Sequence, residues 1–203
     1  MDVDAVNRMD RMTFVATLGG VFENSPWVAE QAWDARPFAA MEALHCAMVE
    51  VVRGATAAQQ LALLRAHPEL AGREARAGEM TDSSRTEQSS VGLDALTAAE
   101  FARIGELNLA YRTKFGHPFI IAVRNHTKQG IFEAFEGRLE NGAEAERAAA
   151  LSEVFTITRL RLAALFAPAA ARGRGSIRSP APSGTASGSR RCGRRRRPRC
   201  HAA

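Results

Sequence analysis

The stretch TAAEFARIGELNLAYRTKFGHPFIIAV (97–123) decides the fold. Thr97 and Glu100 have the spacing of a capping box, a hydroxyl at the helix N-cap and a glutamate three residues later. Phe101, Ile104, Leu107, Leu109 and Tyr111 supply the apolar residues of the helix they open, and Gly116 with the following His117-Pro118 closes it. Phe119–Val123 is then the only strand-like run in the chain. One short strand cannot build a sheet by itself. The run is therefore predicted to be a buried extended or helix-entry segment, and the fold class to be all-α.

The punctuation on either side agrees. Ser25-Pro26 reads as an N-cap with a first-turn proline, opening a segment with Trp27, Val28, Gln31 and Ala32 that Arg36-Pro37 stops. A helix from Phe38 to Gly54 carries Met41, Leu44, His45, Met48, Val51 and Val52 on one face. Thr56 caps another, with Leu61, Leu63 and Leu64, which must end near His67 because Pro68 disfavours the α conformation before it. Residues 72–83 read as a loop or weak helix. A second capping box, Ser84-Arg85-Thr86-Glu87, starts the next helix, and further helices cover about 127–140 and 144–166. The prediction is one compact domain over 1–166 with seven or eight helices.

From Ala167 the composition turns to Ala, Gly, Ser, Pro and Arg, too poor in large apolar groups to offset the entropy of ordering, so 167–203 is predicted to be a disordered basic tail. The tail holds ten of the 27 Lys+Arg and none of the 22 Asp+Glu. The first 166 residues thus carry 17 basic against 22 acidic side chains, a net charge of −5, although the whole chain is at +5. At 46% apolar and 6% aromatic over 203 residues, collagen-like, disulfide-rich and wholly disordered classes are excluded. Two of the three cysteines, Cys192 and Cys200, lie in the tail. The domain keeps only Cys46, which points to a reducing compartment. The acidic N-terminus MDVDAVNRMDRM and the lack of any apolar run near about 18 residues predict a cytoplasmic protein without membrane contact.

The domain lacks a glycine-rich phosphate loop, HExxH, paired CxxC and GxSxG. An enzyme built on it would work with side chains alone, without metal or cofactor. Among the histidines outside the tail, His45 lies on an apolar helix face beside Leu44 and Met48, the place of a core histidine. His117 and His126 are further candidates. His67 stands where a helix breaks at a proline, which fixes the ring and leaves its tip usable for proton transfer; the competing reading is a histidine at the helix C-terminus interacting with the dipole. Ser84 and Glu87 are accounted for by the capping box alone, but Gln88 beside them in a first turn would place free N–H groups where an anion could sit. At 100° per residue, Arg161 shares its side of the last helix with Val154, Ile157, Thr158 and Leu165, at the edge of the apolar stripe, whereas Arg159 faces away. A partly buried arginine needs an anionic partner, from the protein or from a ligand.

VFENSPWVAEQAW (21–33), HPELAG (67–72), SRTEQSSVGL (84–93), FGHPFIIAV (115–123) and ITRLRLAAL (157–165) resemble, in order and spacing, the family of 2-oxo-4-hydroxy-4-carboxy-5-ureidoimidazoline (OHCU) decarboxylases. The resemblance spans about residues 10–166. It departs in detail at Val91, where alanine is common, and at His117, where an aromatic is also common. It implies an all-helical homodimer that converts OHCU, a small ureidoimidazoline, to (S)-allantoin at the end of urate breakdown. It further implies that His67 is the catalytic acid/base with Glu87 as its partner, and that Pro68, Ser84, Arg85, Thr86, Gln88, the Phe119, Ile120, Ile121, Ala122 and Val123 segment and Arg161 bind substrate. The contrasting reading is a helical interaction module whose basic tail binds an anionic partner such as nucleic acid. That RRCGRRRRPR run reads more simply as a poorly constrained extension, and Cys192, Cys200 and His201 are too few ligands for a zinc site.

Overall fold

The computed structural model describes residues 1–168. All but the first two residues of the segment read as a disordered tail, including Cys192, Cys200 and His201, lie outside the described residues. Ten α-helices follow one another among the described residues: α1 (Val3–Arg8), α2 (Arg11–Leu18), α3 (Trp27–Ala32), α4 (Met41–Arg53), α5 (Ala57–Arg65), α6 (Arg73–Ala77), α7 (Asp82–Ser89), α8 (Ala98–Phe115), α9 (Lys128–Leu139) and α10 (Ala143–Phe166). Short 3-10 turns cover Trp33–Ala35 and Val123–Asn125. The class is all-α as predicted, with more helices than the seven or eight expected. The additions include α1 and α2, whose starts are set by Asp2 and Asp10. Each accepts a hydrogen bond at 2.7 Å from a backbone N–H three residues on, Ala5 and Thr13 respectively.

Two predicted starts are displaced. The helix placed at Phe38 begins at Met41, because Asn7 on α1 takes both backbone groups of Phe38: its Nδ2 donates to the Phe38 carbonyl and its Oδ1 accepts the Phe38 N–H, each at 2.9 Å. That pairing keeps Phe38 outside the helix. The predicted capping box Ser84–Glu87 does not form. Thr81 is the N-cap of α7, its Oγ1 accepting the Ser84 N–H at 3.3 Å. Ser84 thus falls inside the helix, and Glu87 and Gln88 fall in its last turn, not its first. The other capping box is present, with Thr97 and Glu100 bonded reciprocally, and α8 ends at Gly116 in the left-handed region (φ 75°), where a side chain would be strained.

Two cores sit side by side. The first gathers residues of α1–α5 and α10 around Phe14, Leu18, Phe22, Leu44, Met48, Leu64 and Val154. The second gathers Ile104, Leu107, Tyr111, Ile131 and Phe135 from α8 and α9. The 119–123 segment lies between them. Ile120 and Ala122 belong to the first core, whereas Phe119, Ile121 and Val123 belong to the second. This is the two-residue alternation of a strand, here used to face two cores with no neighbouring strand. Two of its main-chain groups are taken by side chains instead. The Ile120 carbonyl accepts from Arg138 Nη1 at 2.6 Å, and the Ala122 N–H donates to Glu153 Oε2 at 2.8 Å. Arg138 is itself held by Glu146, fully buried, which also bonds the Tyr111 hydroxyl and Asn141.

Thr97→Ala removes the hydroxyl half of the α8 cap at an exposed site and leaves the backbone N–H bond to Glu100. It should lower the unfolding free energy by about 1 kcal/mol, read as a lower urea midpoint with unchanged slope.

Candidate active site

Helix α5 ends at Arg65, and the chain turns through Ala66, His67 and Pro68. His67 is 8% exposed. Its Nδ1 lies 3.0 Å from the carbonyl of Leu63. A carbonyl can only accept, so Nδ1 carries the hydrogen of the neutral ring, leaving Nε2 as a bare lone pair. That Nε2 is buried and has no partner. Burial holds the imidazole neutral, with its pKa lowered to about 4; the bond to Leu63 and the field of Glu23 pull it upward by less. The Nδ1 bond to a last-turn carbonyl of α5 is the helix-end contact of the competing reading, made here by a neutral ring that keeps Nε2 free.

Facing it is an ion cluster drawn from three distant parts of the chain. Arg161 on α10 donates through Nε and Nη2 to the two oxygens of Glu87 on α7, at 2.9 and 2.8 Å, a bidentate pair. Its Nη1 donates to Glu23 Oε2 at 2.7 Å and to the Val21 carbonyl at 3.4 Å, and Nη2 also reaches Ser84 Oγ at 3.1 Å. All five guanidinium hydrogens therefore have acceptors within the protein. Ser84 passes its own hydrogen to Glu23 Oε2 at 2.9 Å, and Thr81 Oγ1 donates to Glu23 Oε1 at 2.6 Å. Burial alone would raise the Glu23 carboxyl; the Thr81 bond and Arg161 reverse that and keep it below the usual carboxylate range. Arg161 does lie at the edge of the apolar stripe and does have the anionic partner its burial demands, while Arg159 is exposed.

Gln88 acts as a clamp. Its Oε1 accepts the Ala71 N–H at 2.9 Å and its Nε2 donates to the Glu69 carbonyl at 3.2 Å. It thereby braces the loop after Pro68, where Ala71 adopts a left-handed φ of 47°. No first-turn anion site exists at Glu87–Gln88, because Thr81 moves the helix start back to Asp82.

These groups surround a cleft of about 360 Å3, its open mouth included, between His67 and Pro68 on one side, Ser84, Glu87, Gln88 and Arg161 on another, and Phe119, Ile120, Ile121 and Val123 on a third. Leu70 and Ile157 complete the lining. The sequence-derived residues His67, Pro68, Ser84, Glu87, Gln88 and Arg161 are thus brought together. Arg85 and Thr86 are not: both are exposed, and Arg85 turns outward to Asp82 and the Met80 carbonyl. Ala122 faces the first core. The N–H groups of Phe119 and Ile121 have no acceptor among the described residues. His45 pairs with Thr158 at 3.1 Å, and His117 bonds the Pro118 carbonyl at 2.9 Å beside Tyr111; neither lines this cleft. Glu23 is the participant that sequence reasoning missed. It lay within the VFENSPW stretch, but only its partners' positions reveal its role. Among the described residues, no three His, Cys, Asp or Glu side chains gather as a metal site.

A sequence model of the OHCU decarboxylases matches residues 7–163. The chain belongs to the OHCU decarboxylase family. The 2-oxo-4-hydroxy-4-carboxy-5-ureidoimidazoline decarboxylase of Haloferax volcanii is 42% identical over 166 residues, 82% of this chain and 96% of the relative. That of Amia calva is 40% identical over 162 residues, 80% and 93% of the two chains. Among solved structures, a crystal structure of (S)-allantoin synthase matches with a TM-score of 0.63 at 31% identity, over 80% of this chain and 53% of that one. A crystal structure of OHCU decarboxylase in the presence of (S)-allantoin matches at 0.59 and 25% identity, over 72% and 94%. The matched span contains every element of the His67 cleft, so the cluster described above is part of the decarboxylase domain itself.

His67 binds fewer protons folded than unfolded between its ordinary value near 6.5 and about 4, so its contribution makes stability fall as the pH is lowered through that window and level off below it. The fall should amount to about 3 kcal/mol in urea titrations. His67→Asn should lose that part of the slope, leaving what His45 and His117 contribute.

Proposed function

We propose that this chain decarboxylates OHCU to (S)-allantoin in urate degradation, with His67 as the proton-transfer group. The observation that carries the assignment of His67 is its unpartnered, buried Nε2 at the edge of a cleft walled by Glu87 and Arg161. CO2 leaves from the ring carbon that bears the hydroxyl. The bonding electron pair enters the adjacent imine, so the substrate is its own electron sink. The hydroxyl proton and one proton from solvent end on the imine nitrogen and on the carbon that becomes the stereocentre.

Each demand has a residue to meet it. A neutral imidazole with a bare Nε2 is set to take the hydroxyl proton and return it to one face of the intermediate. Glu87, oriented by two bonds from Arg161, faces the hydroxyl. The free N–H of Ile121 can hold a ring carbonyl or the enolate-like oxygen. Pro68, Phe119, Ile120 and Val123 offer apolar walls that strip water from the carboxylate. Because every donor of Arg161 is engaged, a direct Arg161–substrate bond requires one protein bond to open; its first task is to fix Glu87. Ser84 and Gln88 support this arrangement through Glu23 and the Glu69–Ala71 loop, and Arg85 and Thr86 stay outside it.

The test follows freshly generated OHCU, which decays unaided to racemic allantoin, by circular dichroism. The protein should form a single-handed product faster than background. His67→Asn should cut turnover by about 10²–10⁴-fold with the fold retained, and near-normal activity would remove His67 from the chemistry. Glu87→Gln keeps the helix intact and should lower the rate while leaving the product single-handed.

The same reading takes residues 1–166 as the catalytic unit, cytoplasmic and homodimeric. None of its helices is long and apolar enough to cross a membrane among the described residues. Leu109, 59% exposed on α8, and Met12, 80% exposed on α2, are apolar surface for a second copy. Deleting 167–203 should leave turnover unchanged and sedimentation should give twice the chain mass. A shortened chain without activity would place part of the function in the tail.

A further inference from the structure

Glu23 lies in the turn between α2 and α3, only 2% exposed, and does not itself line the cleft. Its two oxygens accept three bonds, from Thr81, Ser84 and Arg161, two of them from residues of the polar wall. Arg161 is already neutralised by Glu87. A second buried carboxylate on the same guanidinium therefore leaves the cluster with one negative charge more than Arg161 balances, held in place by the bonds from Thr81, Ser84 and Arg161. With His67 neutral, the group formed by Glu23, Glu87 and Arg161 holds a net charge of −1 next to an uncharged base. We propose that Glu23 is a positioning residue for the decarboxylation: it fixes Arg161 and Ser84 so that Glu87 keeps one orientation toward the cleft, and its charge stabilises the imidazolium formed when His67 takes a proton.

This inference rests on the proposed decarboxylase activity. The alternative is a purely structural carboxylate whose loss costs stability and nothing else. Glu23→Gln separates them, because the carboxamide fits the same space and can still accept a bond but carries no charge. In the full chain, with product handedness followed by circular dichroism, Glu23→Gln should lower kcat at least about ten-fold with KM within about three-fold. Since Glu23 acts through the guanidinium that holds Glu87, the double variant Glu23→Gln/Glu87→Gln should lose less than the product of the two single losses. An unchanged kcat, fully multiplicative effects, or a loss that merely follows the folded fraction would each overturn the role. Should Glu23→Gln not fold, Glu23→Asp, which keeps the charge on an arm too short for all three partners, should fold and still lose kcat; a wild-type kcat there overturns the role as well. Wild-type protein active with Glu23→Gln unaffected refutes Glu23 alone, whereas wild-type protein without stereospecific turnover refutes the activity and this role with it.

Discussion

One guanidinium ties the molecule together. Arg161 reaches from the last helix to Glu23 near the start of the chain and to Glu87 in its middle, sequence separations of 138 and 74 residues. A buried arginine without partners would be costly, so once α10 packs with this side inward, α7 and the Val21–Glu23 turn must close over it. The position of α7 then places Gln88 against the loop that follows His67. The pairing that satisfies Arg161 also builds the cleft wall. The constraint is directional as well as attractive, because a planar fork with five satisfied hydrogens admits few rotations of its neighbours.

The second constraint is the unpaired extended segment. A strand outside a sheet leaves its main-chain groups in need of partners. The chain meets part of that need with Arg138 and Glu153, which take the Ile120 carbonyl and the Ala122 N–H. In an extended segment alternate residues point their N–H and C=O to opposite edges. Anchoring the even-numbered edge in this way leaves the N–H of Ile121 on the other. The stacked rings of Phe119 and Phe135, 3.9 Å between centroids, and the buried Tyr111–Glu146–Arg138 network keep the segment from shifting register.

Much of this could be read from the sequence, and most of the failures have a common cause. Caps and breakers are local, so the Thr97–Glu100 box, the Gly116 stop and the Pro68 break after α5 were legible from a few residues. The alternation of 119–123 was legible too, although the two cores on its faces were not. Phe38 misled because distant Asn7 claims both of its backbone groups, and Ser84 because Thr81, three residues earlier, caps the helix first. Helical geometry gave the side of α10 on which Arg161 lies, but could not say which carboxylates it meets. Glu23 was invisible for the same reason. Nothing in the residues around it marks it as buried, since its partners lie 58, 61 and 138 positions away.

The site also shows how burial and charge can be set against each other to useful effect. Burial alone pushes His67 toward neutrality, while Glu23 pulls it toward the protonated form and Arg161 pushes it back. Burial wins, and the ring stays unprotonated throughout the neutral range, ready to accept a proton. The opposing pull of the carboxylate is not wasted, for it acts most strongly once the ring becomes charged in the same low-dielectric surroundings. A base that was merely exposed would be half protonated near pH 6.5 and stabilised mostly by water. A base that was merely buried would resist taking the proton at all. In the proposed reaction, a desolvated imidazole beside a cluster that carries one negative charge more than its arginine can neutralise is a base that waits empty, is filled during turnover, and releases its proton again to a nearby carbon.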